Sequence, residues 1–146
     1  MAKDVAIGIQ SFAELREKDC FYVDKTDFIR EWWDSKDSVT LITRPRRFGK
    51  TLNMSMVEAF FSVDYADRGD LFEGLSIWED EKYRAIQGTY PVIFLSFANV
   101  KETDYGTTSY RIRQLLMKLY EIHSYLRSSN LLSYAKKSIL SVWHRI

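Results

Sequence analysis

Residues 38–61 constrain the chain more than any other stretch. A β-branched run, Ser38-Val39-Thr40-Leu41-Ile42-Thr43, is followed by Arg44-Pro45-Arg46-Arg47-Phe48-Gly49-Lys50-Thr51. Beyond it, Leu52, Met56, Val57, Phe60 and Phe61 fall near one face of a helix. The run predicts a buried strand that ends at the Arg44-Pro45 turn. Strand, loop and amphipathic helix in that order point to layered α/β architecture.

The loop has its own chemistry. A phosphate-binding loop reads G-x-x-x-x-G-K-[ST], and residues 44–51 match its final Gly49-Lys50-Thr51 while placing Arg44 where the first glycine belongs. Backbone N–H groups from about Arg47 to Thr51, at a helix N-terminus, can wrap a polyphosphate. Lys50 would reach the β and γ phosphates, and the Thr51 hydroxyl suits Mg²⁺. Arg44 and Pro45 cannot supply the tight turn and donors of a glycine, so guanidinium forks from Arg44, Arg46 and Arg47 would replace them. No acid occurs between Val39 and Val57 to neutralise these cations. The alternative for the same arginines is a non-enzymatic anion or nucleic-acid binding module, which meets backbone phosphates through salt-sensitive contacts.

Composition narrows the classes further. The 146 residues are 46% hydrophobic and 15% aromatic, enough apolar material for one core. A formal charge of +1 gives no global bias toward nucleic acid or anionic membrane. One cysteine, Cys20, excludes an intrachain disulfide and a multi-cysteine zinc site. No apolar run approaches the roughly 18 to 20 residues of a membrane span, and the N-terminus lacks signal-peptide chemistry. The expected location is therefore the cytoplasm, and the expected partner is a nucleotide rather than a membrane.

Elsewhere, Thr26 is placed to N-cap a helix carrying Phe28, Ile29, Trp32 and Trp33. Residues 64–82 are acidic with scattered apolar positions and read as a surface connection. Pro91 to Phe97 reads as a second, central strand. A helix is expected over 107–127, starting from the Thr107-Thr108-Ser109 region, and helical spacing recurs from Leu131 to Ile146. With no linker or repeat, the chain is expected to be one folding unit with no second domain. The order β-loop-α-β-α-α predicts a mostly parallel sheet flanked by helices, with right-handed crossovers.

The phrases FYVDKTDFI, LITRPRRFGKTLNMSM, LFEGLSI and YPVIFLSF resemble the bacterial AAA-ATPase-like family, over roughly residues 5–133. The loop is the most specific part, and arginine at its first position is common in that family. The resemblance implies a partial P-loop NTPase-like fold and ATP at Arg46, Arg47, Phe48, Gly49, Lys50 and Thr51. Longer members carry a C-terminal nuclease-like domain. They also continue into an apolar strand closing with acidic residues that hold Mg²⁺ and polarise water. No such strand is found here: Val92 to Phe97 carries no acid, and residues 122–146 contain no Asp or Glu. On this pattern residues 1–146 are expected to be the N-terminal part of an AAA-ATPase-like domain, cut before its hydrolytic strand, and no catalytic residue is assigned.

Other candidates are weighed against plainer roles. Asp24-Lys25 resembles a family hallmark that could face adenine or ribose, or it is a cap with a surface ion pair. Asp64, Asp67 and Asp70 suit a solvated face better than a cation site. Trp32-Trp33 suits packing better than base stacking, His123 a helix surface, and Cys20 a small buried hydrophobe.

Overall fold

Ser11 starts the first element. Its hydroxyl accepts the Glu14 N–H at 3.3 Å and caps α1, Phe12–Glu17, a Ser-x-x-Glu start that satisfies one orphan donor of the first turn. The computed structural model describes residues 3–5, 7–45 and 47–125. They fall into two compact units, Met1–Val92 and Ile93–Ile146.

In the first unit α2, Asp27–Ser35, α3, Lys50–Phe61, and a short α4, Glu81–Arg84, join α1. The helix expected from Lys50 is there, with Met56, Ala59, Phe60 and Phe61 buried and Leu52 and Val57 half-buried. Phe12, Phe60 and Phe72 are fully buried and form the centre of the core. The Phe12 and Phe72 rings stack at 5.1 Å, and Phe60 meets Phe72 edge-on at 5.1 Å. Trp32 and Trp33 follow the plainer expectation, packing half-buried against Phe61 at 5.4 and 5.3 Å. The 64–82 stretch is more than a surface connection. Three single turns of 3₁₀ helix, Val63–Tyr65, Gly69–Phe72 and Ser76–Glu79, sink Leu71, Phe72 and Ile77 into the core while their acids stay outside. Arg16 fastens α1 to this stretch by donating to the carbonyls of Leu71 and Glu73, each at 2.7 Å.

The mostly parallel sheet predicted from the sequence is not formed. Among the described residues the only strand-type pairing is an isolated parallel bridge, Ser62 to Tyr90, made by Val63 N–H to Tyr90 O and Tyr90 N–H to Phe61 O, each 2.9 Å. Residues 38–43 and 92–97 run without a ladder. Their side chains show why: Val39 and Leu41 are 86% and 82% exposed, and Ile93 is 63% exposed. β-Propensity expresses packing on a pleated, half-buried surface, and without a neighbouring strand to pair the backbone that preference has nothing to act on.

The second unit holds α5, Tyr105–Ile122. Its cap is Asp104, whose carboxylate accepts the Thr107 N–H at 3.0 Å, so the helix begins two residues before the expected start. Ile112, Leu115, Leu116 and Leu119 are only half-buried, and Ile122 is 51% exposed. His123 is buried rather than on a helix surface, with Nδ1 3.2 Å from the Tyr125 hydroxyl. The helical spacing from Leu131 to Ile146 lies outside the described residues. Among those described, no helix is long and apolar enough to cross a membrane.

Candidate functional site

The loop that precedes α3 is shaped by two residues in the left-handed region. Arg47 has φ 67° and Gly49, the N-cap of α3, has φ 72°. The glycine adopts this conformation without strain, whereas Arg47 holds it at a cost of about 1 to 2 kcal/mol. Asn53 closes the first turn by donating its N–H to Gly49 O at 2.9 Å. No side chain caps α3, and no acid stands in its first turn. Its leading N–H groups and the positive end of its dipole are left for an anion. A Cβ built on Gly49 meets nothing within 4 Å, so the glycine is required here by its backbone conformation and not by crowding.

Lys50, the first residue of α3, folds its ammonium back to donate to the Arg44 carbonyl. That bond ties the first residue of α3 back to the start of the loop. Arg44, Arg47, Phe48 and Thr51 are all exposed. Arg46 lies outside the described residues. Of the predicted site residues, 47–49 lead directly into α3, which begins at Lys50, with the Thr51 hydroxyl in its first turn.

Two clefts adjoin this turn. A polar one of about 510 Å³ is lined by Lys25, Asp27, Phe28, Glu31, residues 40–44 and Asn53. An apolar one of about 230 Å³ is lined by Val5, Ile9, Leu15, Phe21, Tyr22, Val23 and Leu52, with Gly49, Lys25 and Asn53 at its edge. Burial pushes the Tyr22 phenol up to about 12, and the hydroxyl donates to Met56 Sδ at 3.1 Å, so this wall stays uncharged. The sequence reading missed the apolar cleft and Asn53. The signals were the apolar positions at 5 and 9, and a polar side chain one helical turn beyond Gly49.

Asp24 and Lys25 part company. The Asp24 carboxylate accepts from the N–H and hydroxyl of Thr26, at 2.8 and 2.7 Å, and from Ser76 N–H at 2.7 Å. Partial burial opposes its charge, but these hydrogen bonds outweigh it and hold the carboxyl below its ordinary range. Asp24 is a structural lock; Lys25 lines both clefts. Thr26 does stand at the N-cap of α2, but its side chain makes no cap bond. Its hydroxyl faces Asp24, Ser76 and the Ile77 N–H instead.

For the three spaced aspartates, Asp70 pairs with Arg68 at 3.1 Å and Asp64 accepts from the Ser62 hydroxyl at 3.2 Å. No group of three or more His, Cys, Asp or Glu that could hold a metal ion occurs among the described residues. Cys20 is half-buried, its thiol facing the Lys18 carbonyl at 3.8 Å.

Comparison with known proteins places the chain at the level of family. The chain belongs to the AAA-ATPase-like family, whose model, described as Predicted AAA-ATPase, matches residues 6–145. It is 33% identical over 115 residues to an uncharacterized protein in the vnfD 5' region of Azotobacter chroococcum mcd 1. That alignment takes in 78% of this chain and 21% of the relative, so the chain spans about a fifth of the length of the curated protein it matches. No solved structure matches.

Proposed function

We propose that the chain binds ATP through residues 44–51, as the nucleotide-binding part of an AAA-ATPase-like protein. The observation that carries this is the start of α3: an uncapped N-terminus, entered through left-handed Gly49 and flanked by Lys50 and Arg47, with no acid in its first turn. Arg46, Arg47, Phe48, Gly49, Lys50 and Thr51 are the proposed nucleotide-binding residues, with Arg44 as an accessory cation. Backbone N–H groups and the helix dipole favour the phosphates. The Lys50 ammonium would exchange the Arg44 carbonyl for a phosphate oxygen, a stronger partner because it is charged. The apolar cleft beside Gly49 offers the base an uncharged wall.

Mg²⁺ would come with the nucleotide. The chain's own contribution is the exposed Thr51 hydroxyl, and phosphate oxygens and water would fill the other positions, as suits an ion that dehydrates reluctantly.

Calorimetric titration of the chain with Mg-ATP tests the reading. Lys50→Ala is expected to weaken binding by about 1.5 to 3 kcal/mol, the range for a charge-assisted hydrogen bond. Equal curves for wild type and variant would overturn it. Tight duplex DNA binding that persists at high salt would favour the nucleic-acid module instead.

A further inference from the structure

Lys25 is a cation with no assignment in the loop chemistry. Among the described residues its ammonium makes neither an ion pair nor a hydrogen bond. Nearby carboxylates are spent elsewhere. Asp24 is held by Thr26 and Ser76, and Asp27 accepts from Arg30 at 3.0 Å and from the Ser76 hydroxyl at 3.0 Å. Glu31 lines the same polar cleft but makes no ion pair with Lys25. The backbone under Lys25 is fixed on both sides. Its carbonyl accepts the Phe28 N–H at 3.1 Å, and the next residue, Thr26, is fully buried. An exposed lysine on a loose surface loop has no such anchoring.

Its position decides what it could meet. Lys25 and Asn53 are the two residues that line both clefts. The apolar one touches Gly49 at the loop, and the polar one touches Arg44. A nucleotide with its base in the apolar cleft, at whose edge Gly49 and Lys25 both stand, and its outer phosphates at the loop would bring its ribose-linked phosphate toward this seam.

We infer that Lys25, presented by the Asp24–Thr26–Ser76 lock, binds the nucleotide's phosphate nearest the ribose, dividing the polyphosphate with Lys50, which takes the outer phosphates. This deepens the ATP-binding reading and rests on it. It makes Lys25 sensitive to the presence of any phosphate, and Lys50 sensitive to the number of phosphates.

The experiment is competitive displacement of a fluorescent ATP analogue by ATP, ADP, AMP and adenosine from wild type, Lys25→Ala, Lys25→Arg and Lys50→Ala. Lys25→Ala is expected to weaken ATP, ADP and AMP alike, by about tenfold for one lost charge-assisted contact, and to leave adenosine unchanged. Lys25→Arg should retain most of the affinity, and Lys50→Ala should weaken ATP far more than AMP. Thermal melting of the ligand-free variants should coincide with wild type, since the Lys25 side chain holds no described contact. Wild-type affinity of Lys25→Ala for ATP and AMP would overturn the assignment alone, as would an equal loss for adenosine. Failure of the wild type to bind any nucleotide would overturn the ATP reading and this one with it.

Discussion

The Thr26 hydroxyl donates to the Asp24 carboxylate at 2.7 Å while accepting the Ile77 N–H at 3.2 Å, so one buried oxygen couples the start of α2 to a turn fifty residues on. Thr26 and Ile77 are both fully buried, and neither group has water to fall back on. Replacing the hydroxyl by a methyl orphans the Ile77 N–H and strips one donor from Asp24. Thr26→Val, nearly isosteric, is expected to destabilise the fold by about 1 to 3 kcal/mol. Thr26→Ser keeps the oxygen and loses one methyl, at a cost of about 1 kcal/mol. Urea denaturation at neutral pH checks the order. A valine variant as stable as the serine variant would mean that packing, not the hydroxyl, holds this corner.

The elements that were legible in the sequence are those whose signals are local. α3 could be read because Leu52, Met56, Val57, Phe60 and Phe61 repeat at helical spacing immediately after a glycine. α5 was legible for the same reason, but its first residues were misplaced. Thr107, Thr108 and Ser109 are all good caps in isolation, and only the geometry shows that Asp104 takes that role. The sheet was misread because pairing is non-local: Val39, Leu41 and Ile93 have β-forming side chains, but whether their backbones find a ladder depends on residues elsewhere. In the site, the approach to α3 through Gly49-Lys50-Thr51 was visible as a motif. The apolar cleft was not, because Val5, Phe21 and Leu52 come together only in three dimensions.

Gly88 supplies a sharp contrast with Gly49, since both have positive φ, 66° and 72°. A Cβ on Gly88 would stand 2.4 Å from Ala66 Cα and 3.0 Å from Ala66 N, both backbone atoms that cannot swing aside. The Gly88 N–H also donates to Phe60 O at 2.8 Å, which pins the chain against the end of α3. At Gly49 a Cβ meets open space, so only the conformational strain applies. Gly49→Ala is expected to cost about 1 kcal/mol, and Gly88→Ala well over about 2 kcal/mol, because displacement of packed backbone adds to the strain. Chemical denaturation of the two variants side by side checks this. Equal midpoints would show that residues 66 and 88 can move apart freely.

Glu58 carries a pH signature. It lies on α3, half-buried, and burial first and the charge of Asp64 second raise its carboxyl above the ordinary glutamate value. The folded state therefore holds this proton more tightly than the unfolded chain does. Stability from this group is fully present below the unfolded pKa and is lost as pH rises through the raised folded value. At neutral pH the charged side chain is a net liability, which Glu58→Gln removes without changing its length. The variant is expected to melt about 1 to 3 °C above wild type at pH 7, with the gap closing as pH falls through the range where the wild-type carboxyl takes up its proton. Asp64, tied to the Ser62 hydroxyl at 3.2 Å, stays in place in both proteins, so the comparison isolates Glu58. A glutamine variant less stable at pH 7 than at pH 4, relative to wild type, would show that the Glu58 carboxylate has a favourable partner and would reverse the sign of the argument.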